Sequence, residues 1–249
     1  MRLRLLIVSL VLGFQALAQQ KDLVEARRLL ASGNYEKAKP LVNWAVLNDA
    51  TKTNAEAWFL RGLAYLMQAT DNSKGVTDES QEAYISFIKA LEQKPDYNAE
   101  INYPLYGVAI IKFNRGVAAY SAGRYDEAYR EFIAAHEIYK LGRSSRFVDI
   151  KEFPGLSVEA RRNAAYAAIN AGHDNYARPI LEDLLKTDAK DDIGIYQSLI
   201  EIYEAGRNDK QQIDMIKAAR TQFPDNEMFR KMETDYYART TKSVKDTKK

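Results

Sequence analysis

The stretch AAYSAGRYDEAYREFIAAHEIYK, residues 118–140, decides how this chain is read. Within it Gly123, Tyr125, Ala128, Phe132 and Ala135 follow one another at intervals of two, three, four and three residues. Residues three and four apart share one face of a helix, so Ala128 to Ala135 reads as a helix with one buried face. Gly123 sits where the chain must turn, since glycine accepts a left-handed backbone without steric cost. The intervals recur. ASGNYEKAKPLVNWA places Gly33, Tyr35, Ala38, Val42 and Ala45 at the same spacing. NAGHDNYARPILEDLL supplies Gly172, Ala177, Leu181 and Leu184, and EAGRNDKQQIDMIKAA supplies Gly206, Met215 and Ala218. One copy is divided: AWFLRGLAYLM carries Trp58, Gly62 and Tyr65, and EAYISFIKALEQKPD carries Ala83, Phe87, Ala90 and Pro95.

Each unit therefore reads as two helices joined by a turn. Where the paired backbones approach, small residues are needed: Ala26, Gly62, Gly116 and Ala165 in the first helices, Ala38, Ala83, Ala128 and Ala177 in the second. Phe87 and Phe132 fill the layer between neighbouring units. These residues resemble the tetratricopeptide repeat, a helix-turn-helix of 34 residues. The resemblance implies an all-α, right-handed α-solenoid of about five units with a C-terminal capping helix. Aligned on the glycine, the units fall at about 19–52, 55–97, 109–142, 158–191 and 192–225, with the cap at 226–239. The last unit departs most: Asn208 stands where an aromatic belongs, Gln211 where a small residue belongs, and Pro224 comes one place late. Irregular joins occupy residues 97–108 and 142–157, and Pro104 is expected to open a lengthened first helix.

The first twenty residues, MRLRLLIVSLVLGFQALAQQ, put Arg2 and Arg4 ahead of an apolar run and end it with Ala16-Leu17-Ala18. That is the pattern of a secretory signal cleaved after Ala18, and the run is too short for a membrane anchor. The chain has no cysteine, so neither a lipid-attachment cysteine nor a disulfide framework is available. The expected location is the periplasm. The signal and the residues after it also resemble secreted Bacteroidetes-type repeat proteins. With 249 residues, 46% apolar and 28% charged, the chain can bury a sizeable core. Without residues 1–18 its formal charge falls from +2 to zero. Five basic residues gather in the last eleven, which are expected to end in a disordered tail at 240–249, and the body before them is mildly acidic. Such a body is a poor nucleic-acid binder.

Little in the sequence points to catalysis. His136 and His173, the two histidines, fall in different units with no serine motif beside either. Zinc wants three or four Cys or His ligands, which are lacking. The insertion that begins at Asp71 is disfavoured as a calcium loop, because Val76 stands at the sixth position, where glycine is required, although Glu82 falls at the twelfth. No cofactor, metal or catalytic residue is expected.

The resemblance implies that first helices line a concave groove. Its positions here include Phe59, Leu63, Phe113, Val117, Tyr120, Arg162, Tyr166, Tyr196 and Tyr203, an apolar and aromatic lining. Lysines are missing from the places where one version of this repeat clamps a terminal carboxylate, although Asn114, Asn163 and Arg162 are present. The expected function is therefore non-catalytic binding of a protein or peptide that presents apolar side chains. The alternative is a scaffold subunit of an envelope secretion, assembly or uptake complex, contacting partners through the convex face or the inserted loop. The groove could also be filled by the chain's own C-terminal helix.

Overall fold

The computed structural model describes residues 20–49, 51–71, 79–96, 98–141, 146–187 and 189–246. Among them there is no strand. Eleven helices are described: α1 (20–31), α2 (Tyr35–Leu47), α3 (Ala55–Thr70), α4 (Glu79–Gln93), α5 (Asn98–Ser121), α6 (Tyr125–Lys140), α7 (Phe153–Asn170), α8 (Asp174–Thr187), α9 (Ile193–Ala205), α10 (Asp209–Gln222) and α11 (Glu227–Asp246). The protein is all-α, with neighbouring helices packed in pairs. No described helix is long and apolar enough to cross a membrane. The expected signal, residues 1–18, and positions 72–78 of the insertion lie outside the described residues.

Two compact units emerge, one within Met1–Ala118 and Ala134–Ser157, the other within Ala119–Ile133 and Val158–Lys249. In the first, Ala26, Ala38, Val42, Ala57, Leu60 and Ala64 form a core shared by α1, α2 and α3. The alanines among them let the helix axes close up and cost no side-chain entropy. Gly62 is a point of close approach between α3 and α4. A Cβ there would lie 2.4 Å from the Phe87 ring, so any side chain must displace a fully buried aromatic. The join before α7 is ordered by aromatic packing: Phe153 meets Phe147 at 4.7 Å, Tyr106 at 4.9 Å and Tyr139 at 5.2 Å between ring centres. Helix α5 begins at Asn98 rather than at Pro104, which lies inside it. The missing N–H of Pro104 forfeits one bond, to the carbonyl of Glu100 near the helix start.

In the second unit Ala165, Ala177, Leu181, Leu184, Ile195 and Leu199 join α7, α8 and α9. Tyr196, Ile200, Ile216, Ala219 and Phe229 join α9, α10 and α11. Ala128 and Phe132, on α6, are buried as well.

Four turns between helices share one hydrogen-bond scheme, in which two successive amides reach back to carbonyls three and five residues earlier. Gly33 N–H donates to Leu30 O at 3.0 Å and Asn34 N–H to Leu29 O at 2.8 Å. The pairs Gly123 and Arg124, Gly172 and His173, Arg207 and Asn208 repeat it. This closure needs a left-handed residue at the first amide. Gly33, Gly123 and Gly172 supply it at φ of 76°, 72° and 77°.

The fourth turn corrects the sequence reading. Its left-handed residue is Arg207, at φ 52°, while Gly206 stays at φ −77°. The last unit is thus shifted one place from an alignment on Gly206. Gln212, Ile216 and Ala219 are buried where Gln211, Met215 and Ala218 were expected. Pro224 then stands in register, and Asn208 caps α10 by accepting the Gln211 N–H. Helix α11 also outruns the expected cap. It continues to Asp246, so residues 240–246 are helical rather than disordered. Nothing there is a helix breaker, and the hydroxyls of Thr240 and Thr241 donate to the carbonyls of Tyr236 and Tyr237.

Candidate functional site

In the first unit Phe59 and Leu63 fall on the exposed side of α3 and line a cleft of about 470 Å³. Helix α1 contributes Leu30 and Ala31 to it, and α3 adds Leu60 and Met67. Leu30 and Leu60 form a fixed floor, since both also belong to the unit's core. Phe59, Leu63 and Met67 are only partly buried. Phe59 leans on Phe87, with ring centres 6.2 Å apart. Met67 adds an unbranched, polarisable wall able to follow different ligand shapes. Two charged residues stand at the rim, Arg27 from α1 and Glu100 from the first turn of α5. Arg27 is paired with Glu56 at the start of α3. The hollow is apolar within and charged at its edge, with room for a ligand side chain.

Phe113, on α5, is partly buried, and Val117 is exposed. In the second unit Tyr120, Arg162 and Tyr166 form a polar cluster. The Tyr120 hydroxyl accepts from Asn170 Nδ2 at 2.7 Å, and the Tyr120 ring meets Tyr125 edge-on at 5.3 Å. Arg162 donates to Asp192 at 2.9 Å and to Glu159 as well. Burial opposes its charge, and the two carboxylates more than restore it. Two carboxylates thus already balance this arginine's charge. Burial, helped by the Asp192 carboxylate, pushes the Tyr166 hydroxyl up to about 12. A side chain on Gly194 would place its Cβ 2.7 Å from that hydroxyl.

Tyr196 and Tyr203, expected on the same surface, are instead buried. Tyr196 packs edge-on against Phe223 and Phe229, and Tyr203 donates to Glu182 at 2.7 Å. The one-residue shift explains both. Each residue advances a helix by about 100°, so counting from Arg207 turns the tyrosines inward and brings Gln197 and Glu204 to the positions they were assigned. Part of the expected aromatic lining is therefore core, and its replacement on α9 is polar. The signal that could have revealed it was present in the mismatches at Asn208, Gln211 and Pro224.

Both histidines have partners. His136 Nδ1 lies 2.8 Å from the hydroxyl of Ser157, which is buried on α7, and His173 Nε2 lies 3.0 Å from Asp126. Among the described residues no group of three or more His, Asp or Glu side chains is placed to hold a metal ion. No protein-family model matches the chain, and no curated protein matches it in sequence.

Proposed function

We propose that this is a non-catalytic binding protein of the tetratricopeptide type, exported to the periplasm, which takes an apolar segment of a protein or peptide partner in the cleft between α1 and α3. The observation that carries this reading is the cleft itself, with Leu30 and Leu60 as a rigid floor and Phe59, Leu63 and Met67 as partly buried walls. Binding there removes apolar surface from water, worth about 25 cal/mol per Å² before the costs of association. In-cell crosslinking followed by mass spectrometry tests it. A partner captured by the wild type and lost from a Leu63→Glu variant with an unchanged helical melt supports the reading. Equal capture by both overturns it.

A second reading, a scaffold subunit contacting its complex through another face, is favoured by the outer side of α2. There Trp44 and Leu47 are 58% and 78% exposed. Capture that survives Leu63→Glu and is lost from a Trp44→Ser, Leu47→Ser variant would establish it.

A further inference from the structure

We infer that the cleft selects a peptide in which a bulky apolar side chain is followed or preceded by a basic residue. This rests on the proposed function and adds the chemistry of the partner. The apolar walls call for a leucine-, methionine- or phenylalanine-sized anchor. Charge at the rim decides what stands beside that anchor. Arg27 is occupied by Glu56, whereas Glu100 is exposed at the rim and has no ion pair among the described residues. The start of α5 offers its carboxylate only the partial positive charge of a helix N-terminus, so it can still take a full counter-charge from a ligand. A lysine or arginine next to the anchor reaches it; an acidic neighbour meets repulsion and loses water in the attempt. The acidic character of the body, about 4 negative charges over residues 19–238, steers the same class of ligand toward the protein.

Three fluorescein-labelled synthetic peptides with one Phe-Leu core, flanked by lysines, serines or glutamates, test this by anisotropy on the whole protein. The lysine peptide is expected to bind at least about fivefold tighter than the glutamate peptide at low salt. The ratio should fall to within about twofold in Glu100→Gln, an exposed substitution that leaves the core untouched, and should shrink in high salt. Equal affinity for all three peptides overturns the charge selection and leaves the cleft as a binding site. A lysine preference that persists in Glu100→Gln also overturns it, since the charge then acts from elsewhere. No binding by any of the three removes both the selection and the site. Light scattering that shows a dimer dissolved by Leu63→Glu assigns the cleft to a second copy of this chain and overturns the inference.

Discussion

The first and last helix pairs use the same turn and end differently. At α9 and α10 the outer surface is covered: Phe229 of α11 is fully buried against Tyr196 and Phe223, with Met232 and Tyr236 packed beside them. At α1 and α2 the outer side of α2 leaves Trp44 and Leu47 largely exposed. The pair α9–α10 is thus covered by the helix that follows it, whereas α2 keeps large apolar side chains in solvent. The same contrast appears in the turns: Gly33 makes its left-handed closure without strain, and Arg207 makes it at the cost of crowding its own Cβ.

The largest test of this contrast is the cap. Phe229→Ala should destabilise the protein by about 3 to 5 kcal/mol in chemical denaturation, because it empties a site with no exposed face. A change below 1 kcal/mol, roughly the size of a surface effect, would mean that α11 does not cover the last pair. Tyr203→Phe should cost about 1 to 2 kcal/mol at neutral pH through loss of its bond to Glu182. It should also flatten the alkaline limb of the stability curve. Burial and the Glu182 carboxylate hold the Tyr203 proton above the usual tyrosine range. Folded and unfolded chains are both protonated below about pH 10, and above it the unfolded chain loses the proton first. Stability is therefore complete below that point and falls as pH rises. Tyr166, at about 12, should retain part of the slope in the variant.

The turns provide smaller effects of opposite sign. Gly33→Ala should destabilise by about 1 kcal/mol for conformational reasons alone, since nothing lies within 4 Å of the added Cβ. Arg207→Gly should stabilise by about 0.5 to 1 kcal/mol, the relief of left-handed strain less the added freedom of the unfolded chain. Destabilisation there would place the left-handed residue back at Gly206. The smallest effect is expected from Trp44→Ser, Leu47→Ser, within about 0.5 kcal/mol of the wild type in isolation. A larger loss would show that the outer side of α2 is covered after all.

By itself the sequence determined the helical class and the turns at Gly33, Gly123 and Gly172. Helical periodicity is local, and a left-handed backbone position strongly favours the one residue without a Cβ. It also marked Phe59 and Leu63. The tertiary structure decided the register of α9, because Gly206 beside Arg207 offers a tempting local choice that only packing can refuse: burying Tyr196, Ile200, Ile216 and Ala219 together outweighs strain at one residue. It assembled the cleft too. Leu30, Leu63 and Glu100 come from three helices separated in sequence, and no local pattern states that a carboxylate on α5 will stand at the edge of an apolar hollow between α1 and α3. Backbone preference is read from neighbours along the chain, whereas a binding surface is made by side chains that meet only after the helices have packed.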